Sequence, residues 1–274
     1  MLKILLPTDF SMLARKAAEY AVSLSANIDA EFVLLHCDNV PRPSYSFVNK
    51  LDDILREEAL KTGSELADSL RESTGLNAKI TTDFIFGDPV EVLEEYSQKH
   101  DIDLTVMGTK GETVIKNRIF GSVASGVLEH VSFPTLFVPS NADPKKPESI
   151  AFATDLTNID EEMEELISFA QFFSASINVV HVYPDMIDPS TFDSERMQLQ
   201  LIAKTNYPNI TFNAVMDSDI IAGLDKFVEQ DCPDMIAMFT YKSGVLEYLF
   251  NTSYSEEMVM HSKLPLLIFR KKLG

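Results

Sequence analysis

The residues best suited to chemistry in this sequence are glycines that follow a short apolar run, Leu104–Met107. Gly108, Gly111 and Gly121-Ser122 come after that run, and a helix-like pattern begins directly beyond them. Glycine lets the backbone turn and approach a ligand closely, and the free amides and positive dipole end of a following helix favour a phosphate group. The spacing therefore predicts a phosphate-binding loop between a buried strand and a helix. The alternative is a strand-to-helix turn that needs glycine for its conformation alone.

Apolar runs alternate with amphipathic segments through the first half of the chain, and these elements must position the loop. Such alternation predicts an α/β fold: a five-stranded, mostly parallel open sheet with helices on both faces. Asp9 or Ser11 is expected to cap the first helix. The predicted strands are Leu2–Leu6, Glu31–His36, Lys79–Phe86, Leu104–Met107 and Thr135–Val138. The predicted helices run over Met12–Ala26, about Leu51–Ser73, Pro89 to about Lys99, and Val123–His130.

The pattern breaks off at residues 140–149 and then starts again. Thr8-Asp9 is echoed by Thr154-Asp155, and Phe133-Pro134 by Leu264-Pro265. The offset between echoed residues falls from 146 at the first pair to 131 at the second. The second half therefore lacks about fifteen residues where the first half has its long helix. We predict a tandem pair of domains, residues 1–140 and 149–274, joined by a linker at 141–148.

The two halves differ at the glycine loop. In the constant register of 131, Gly108 falls on Phe239, Gly111 on Lys242 and Gly121 on Thr252, whereas Ser122 keeps a serine, Ser253. A Cβ at each position restricts the loop, and Phe239, expected at the strand end, would fill the space that a ligand needs. We predict that the first half alone binds phosphate. The alternative is sequence drift with binding retained through other contacts.

Composition excludes some classes of partner. The chain has 274 residues, 45% of them hydrophobic and 24% charged, which is ordinary for globular domains. Its formal net charge of -19 argues against nucleic acid and against an anionic membrane surface as partners. A site for a polyanion must therefore be locally electropositive or recruit a metal ion.

The cysteines and apolar runs suggest where the protein works. Cys37 and Cys232 lie in no metal-ligand spacing, and both stand beside strand-like runs, so we expect buried free thiols in a reducing compartment. The apolar run at the N-terminus is too short for a signal peptide, and no run reaches transmembrane length. We expect a soluble, cytoplasmic protein.

Together these residues resemble the universal stress protein family. The Gly-x2-Gly-x9-Gly-Ser spacing is that family's ATP-binding signature, and Pro7-Thr8-Asp9-x-Ser11 is similar to its N-terminal motif. The resemblance covers the whole chain as two tandem units and implies a Rossmann-like fold. It also implies that ATP is the ligand, often with a magnesium or manganese ion.

The resemblance assigns residues to parts of the nucleotide. The base and ribose would lie against Pro7, Thr8, Asp9 and Cys37, with Ser11 nearby and with Met107 and Gly108 on the ribose side. The phosphates would be held by Gly111, Gly121, Ser122 and Val123. Ala124 stands where the family often has a hydroxyl residue, so one phosphate contact is missing. No residue is assigned a catalytic or metal-binding role.

The resemblance also implies partners and a role. Family members pair through their last strands, so Thr135–Val138 and Leu266–Phe269 would give one chain the shape of a dimer, and a further homodimer of whole chains is left open. The role would be that of an ATP-binding sensor or regulator in the stress response. The alternatives are an enzyme with slow ATP hydrolysis or phosphoryl transfer, and a protein-interaction module independent of nucleotide. A missing general base and the absence of a P-loop lysine motif make an enzyme the weaker interpretation.

Overall fold

The computed structural model describes residues 1–26, 28–39, 48–109, 122–130, 132–184, 186–187, 192–242 and 264–272. For residues 48–50, 122, 130, 241–242 and 271–272 it gives the backbone alone. The chain divides into two compact units, residues 1–145 and 146–274, and each is described by itself. No helix within the described ranges is long and apolar enough to cross a membrane.

The first unit is an open parallel sheet with helical crossovers. In chain order its elements are β1 (Leu2–Pro7), α1 (Met12–Leu24), β2 (Ala30–Asp38), α2 (Val48–Thr74), β3 (Lys79–Phe86), α3 (Pro89–His100), β4 (Leu104–Gly108), α4 (Ser122–His130) and β5 (Thr135–Val138). The strand order is β3-β2-β1-β4-β5, and each pair is parallel. Right-handed crossovers in this order place α1 and α2 on one face and α3 and α4 on the other.

The second unit repeats this order. Its elements are β6 (Ser149–Ala153), α5 (Ile159–Phe173), β7 (Ser176–Tyr183), α6 (Ser194–Thr205), β8 (Ile210–Met216), α7 (Ile220–Asp231), β9 (Met235–Lys242) and β10 (Leu266–Lys272). Within the unit the strands lie in the order β8-β7-β6-β9-β10, again all parallel. The α/β fold with a mostly parallel sheet is therefore confirmed, and element ends lie within a few residues of the expected positions.

Strand centres form the core of each unit. Parallel strands covered by helices are buried on both faces, which explains why their sequences are continuous apolar runs. Central residues of four strands in each unit are almost fully buried: Leu5, Leu34, Leu104 and Leu136 in the first, and Ile150, Val179, Ala237 and Leu267 in the second. The sequence difference of about fifteen residues falls on one helix, because α2 has 27 residues and α6 has 12.

The units differ most at the ends of their last two strands. In the first unit the pairing of β4 with β5 ends at Gly108 and Val138, with a last hydrogen bond from the Thr109 amide to the Val138 carbonyl, and Pro139 follows. In the second unit Arg270 stands at the position of Pro139, and pairing of β9 with β10 continues to Lys242 and Lys272. The last two strands of the second unit therefore continue for three residues past the positions equivalent to Gly108 and Val138.

This extension corrects one expectation. Phe239 does not end its strand, because β9 continues past it to Lys242. Its ring is buried, stacked on Phe269 at a centroid distance of 4.6 Å and edge-on to Phe152 at 5.7 Å. The side chain is thus part of the second unit's apolar core at the position where the first unit has Gly108.

The cysteines also depart from expectation. Both thiols are free, but Cys37 is only partly buried and Cys232 is exposed. Cys232 ends α7 in the left-handed conformation, with φ 46°, and its backbone N–H donates to the carbonyl of Val228. The expectation that Cys232 is buried is wrong because the chain turns at the helix end before β9 begins.

Candidate functional site

A cavity of about 300 Å³ lies at the carboxyl ends of β1, β2 and β4 in the first unit. The strand order reverses between β1 and β4, and crossovers on either side of such a reversal leave a crevice outside the strand ends. Its described lining comprises Pro7, Thr8, Asp9, Ser11, Leu13, Ala14, Leu35, Cys37, Pro89, Leu93, Met107, Gly108, Val123 and Ala124.

Three helices begin at this cavity. Ser11 caps α1, Asp88 caps α3 with Pro89 at the first helical position, and the start of α4 contributes Val123 to the lining. The first turns of α1 and α4 contain no acidic residue. Helix N-termini carry partial positive charge, so the cavity is locally favourable for an anion in a chain whose net charge is -19.

A tight turn shapes the wall at the end of β1. Thr8 Oγ1 accepts from the Phe10 amide at 3.0 Å, and Asp9 Oδ1 accepts from the Ser11 amide at 2.9 Å. Phe10 has φ 60°, in the left-handed region, and Ser11 Oγ accepts from the Ala14 amide at 3.3 Å. Ser11 is therefore the helix cap, and Asp9 holds the turn while its side chain stays exposed at the cavity mouth.

His36 braces the same turn from behind. Its Nδ1 lies 2.7 Å from the Thr8 carbonyl oxygen, and its ring lies between those of Phe10 and Phe84, at 4.7 and 5.7 Å. His181 makes the same contact with Thr154 in the second unit, at 2.9 Å. The repeated contact gives both histidines a structural role in fixing the strand end.

Gly108 is required by a close approach of two backbones. A Cβ on Gly108 would lie 3.0 Å from the carbonyl oxygen of Leu13, in the first turn of α1. That separation is tighter than normal side chains adopt, so any larger residue would push α1 away from β4. The glycine therefore keeps α1 close to β4 at the cavity wall.

Comparison with known proteins decides the family. The sequence model described as "Universal stress protein family" matches residues 1–139, just over half of the chain. The chain belongs to the universal stress protein family. Universal stress protein MJ0531 of Methanocaldococcus jannaschii is 32% identical over 151 residues, which cover 53% of this chain and 84% of that protein. Universal stress protein MJ0577 of the same organism is 27% identical over 154 residues, covering 50% of this chain and 93% of that protein.

A solved structure extends the similarity to the whole chain. The universal stress protein from Archaeoglobus fulgidus superposes with a TM-score of 0.70, covering 98% of each chain at 22% identity. At that identity the superposition shows the fold alone. The Rossmann-like universal stress protein fold therefore extends beyond the residues that the family's sequence model matches.

The cavity brings together most of the residues that the sequence pattern selected. Of the candidate nucleotide-binding residues, the described lining includes Pro7, Thr8, Asp9, Ser11, Cys37, Met107, Gly108 and Val123. Gly111 and Gly121 lie outside the described residues, and Ser122 is described only as the first backbone position of α4. The assignment of these eleven residues to a nucleotide stays a prediction.

The sequence pattern did not identify all of the residues that line the cavity. The residues missed are Leu13, Ala14, Leu35, Pro89 and Leu93, and Ala124, for which the resemblance implies a missing phosphate contact, also lines the cavity. The spacing in the sequence could have identified Leu35 and Leu93. Leu35 lies on the same strand face as Cys37, and Leu93 follows Pro89 by one helical turn. These apolar residues form a wall suited to a flat ring.

Cys37 contributes its backbone N–H and C=O and an uncharged thiol to the cavity. Asp38 faces β3, because its carbonyl accepts from the Gly87 amide at 3.1 Å. Backbone groups alternate sides along a strand, so the N–H and C=O of Cys37 face the opposite side, where β1 has ended. Burial, with the nearby Asp88 and Asp83 carboxylates, raises the pKa of the Cys37 thiol to about 12. The thiol is therefore protonated at neutral pH and is no nucleophile there.

Proposed function

We propose that the first unit binds ATP, and that the protein acts as a nucleotide-dependent sensor or regulator in a stress response. The observation that carries the proposal is the convergence of the strand ends at Asp9, Cys37 and Gly108 with the start of α4 around one cavity. Family membership supports it, because Gly108 and Ser122 belong to the Gly-x2-Gly-x9-Gly-Ser spacing that resembles the family's ATP-binding signature.

The cavity suggests an orientation for the nucleotide. The base would lie on the apolar wall formed by Leu35 and Leu93, where the N–H and C=O of Cys37 face its edge. Asp9 at the mouth would accept from ribose hydroxyls. The phosphates would lie at the start of α4 beside Val123, because that first turn combines free amides with an absence of acidic residues.

A divalent cation would be held mainly by the phosphates. Magnesium is commonly bound by substrate phosphates and one or two carboxylates rather than by a protein cage. Among the described residues, no group of three or more histidine, cysteine, aspartate or glutamate side chains is arranged to hold a metal ion.

The test is calorimetric titration of magnesium ATP into protein checked to be free of co-purified nucleotide. We expect one site per chain in the wild type and loss of that site in Val123→Trp, which fills the cavity from the first turn of α4. Glu129→Trp, on the exposed side of the same helix, is the matched control and should bind as the wild type does.

Two results would overturn the proposal. No heat at millimolar ATP would remove the nucleotide site and favour a protein-interaction module. Equal binding by the wild type and a folded Val123→Trp variant would place ATP elsewhere. Measuring ADP release in the same samples tests the enzymatic alternative, because steady product formation would identify an ATPase rather than a binding protein.

A further inference from the structure

The second unit contains its own cavity, of about 200 Å³, at the carboxyl ends of β6 and β7. Residues from the start of α7 close one side. The described lining is Ala153, Thr154, Asp155, Val180, His181, Val182, Tyr183, Pro184, Ile187, Ile220 and Leu224.

Seven of these positions reproduce the base end of the first-unit cavity. The strand positions correspond at offsets of 145 and 146, and the helix positions at 131. The corresponding pairs are Pro7 and Ala153, Thr8 and Thr154, Asp9 and Asp155, Leu35 and Val180, Cys37 and Val182, Pro89 and Ile220, and Leu93 and Leu224. The second unit has therefore kept this end of the cavity while its loop sequence diverged.

The backbone geometry at this end is also repeated. Thr154 N donates to the Val180 carbonyl at 3.1 Å, and Leu156 adopts φ 68° in a turn held by Asp155 Oδ1. Tyr183 faces β8, because its carbonyl accepts from the Asp217 amide. The N–H and C=O of Val182 therefore face the crevice beyond the end of β6, as those of Cys37 do in the first unit.

The second unit differs from the first at the end of the cavity that is assigned to phosphate in the first unit, and these differences disfavour phosphate. Phe239 fills the core at the position equivalent to Gly108. The pairing of β9 with β10 continues beyond that position, whereas the pairing of β4 with β5 ends there. The first turn of α5, the counterpart of α1, carries Asp160, Glu161 and Glu162. These carboxyl groups make the start of α5 less favourable for an anion than the start of α1, whereas the counterpart of the start of α4 lies outside the described residues.

We infer that the second-unit cavity binds an unphosphorylated nucleoside or nucleobase. The apolar side chains of Val182, Ile220 and Leu224 offer walls for a flat heterocycle. The N–H and C=O of Val182 match a ring edge that carries one acceptor and one donor, as adenine does. Asp155 is placed to accept from ribose hydroxyls. The ligand class rests in part on the proposed function, since the equivalent wall of the first unit is assigned there to the base of ATP.

The size of the cavity agrees with a small ligand. Its volume of about 200 Å³ is below that of the first-unit cavity, about 300 Å³. Drug-sized ligands commonly occupy pockets of roughly 300–1,000 Å³. A base with its ribose directed outward past Asp155 suits the smaller space, and a triphosphate does not.

The experiment compares adenosine and magnesium ATP as calorimetric probes in matched variants. Ile220→Trp fills the second-unit cavity, and Pro89→Trp fills the first-unit cavity at the corresponding position. We expect adenosine to bind at two sites per wild-type chain and at one site in either variant. ATP should bind at one site in the wild type and in Ile220→Trp, and at none in Pro89→Trp. Gln230→Trp, on the exposed face of α7, should behave as the wild type.

A second measurement needs no substitution. In methyl-labelled wild-type protein, adenosine should shift the methyl resonances of Val182, Ile187 and Leu224, and ATP at the same concentration should leave them unshifted. Adenosine stoichiometry unchanged by Ile220→Trp, or adenosine shifts confined to the first unit, would overturn the inference. Binding of ATP at the second-unit methyls would overturn its unphosphorylated character. Absence of ATP binding with adenosine shifts intact would refute the proposed function alone.

Discussion

The Cys37 thiol offers a direct chemical test of the first-unit cavity. Cys37 lines that cavity, and burial together with the Asp88 and Asp83 carboxylates raises its pKa from an ordinary value of 9.0 to about 12. Thiolate is the reactive form in exchange with disulfides. We therefore predict that Cys37 reacts slowly with a small disulfide reagent such as dithiodipyridine, and that its rate keeps rising with pH well above pH 9.

The size of the effect follows from two opposing terms. Raising the pKa from 9.0 to about 12 lowers the thiolate fraction at pH 8 by about 1000-fold. The more basic thiolate is intrinsically more nucleophilic. A Brønsted coefficient of about 0.4–0.5 means that its rate constant for exchange is roughly 15- to 30-fold higher than that of an ordinary thiolate. The expected net rate is thus about 30- to 60-fold below that of an ordinary thiol, before any steric shielding.

The assay uses Cys232→Asn, in which Cys37 is the remaining thiol. Asparagine suits the left-handed backbone at that helix end, where φ is 46°. Release of the chromophore is followed from pH 7 to pH 10.5, and the same protein unfolded in urea supplies the ordinary thiol for comparison. Folded protein should gain nearly tenfold in rate per pH unit throughout, whereas the unfolded reference should level off near pH 9.

Adding magnesium ATP links this chemistry to function. If the base lies against Cys37, saturating ATP should suppress the residual exchange further at every pH. A folded-state rate that levels off near pH 9 would refute the account of the buried thiol. Undiminished exchange in protein already saturated with ATP would show that the nucleotide binds away from Cys37.

Three other substitutions test separate parts of the structure. Gly108→Ala should lower the free energy of unfolding by about 1–3 kcal/mol in urea titrations, because the new Cβ meets the Leu13 carbonyl. Phe239→Ala should lower it by about 3–5 kcal/mol, because the ring is buried in the second unit's core. Burial and the Asp83 carboxylate raise the pKa of Tyr96 to about 12, so Asp83→Asn should lower the pH at which the Tyr96 phenol ionises, followed by NMR.

The alternation of strands and helices was predictable because parallel strands that are covered on both faces, such as β1 and β4, need nearly continuous apolar sequences. The shorter helix of the second unit was predictable too. The offset between echoed residues falls from 146 to 131, so the missing residues must lie in a segment between echoed strands. The carboxyl ends of neighbouring parallel strands meet at one edge, which brings Asp9 and Gly108 together, whereas Cys37 is assigned to the same site by the family resemblance.

Other features depend on packing that local sequence does not encode. The register with Gly108 predicts that Phe239 ends its strand, but the length of a strand depends on which residues of the partner strand pair with it. Arg270 in place of Pro139 was the available signal, because proline restricts the backbone and is uncommon in strand interiors, whereas arginine can continue a strand. The sequence leaves two reasons for glycine at position 108, a ligand and the turn itself, and the structure adds the Leu13 carbonyl, which belongs to a segment distant in sequence.

The differences between the two units become coherent when each cavity is divided into a base end and a phosphate end. A loss of all binding would leave both ends free to change, yet the turn at Thr154 and the apolar wall are retained in the second unit. The changes concentrate at Phe239, in the β9–β10 extension and in the acidic first turn of α5. These are separate structural features, and restoring glycine at position 239 alone would alter only the first of them. The extended ladder and the carboxyl groups at the helix start would still oppose a phosphate, so the second unit is better described as adapted to an uncharged ligand than as a damaged copy of the first.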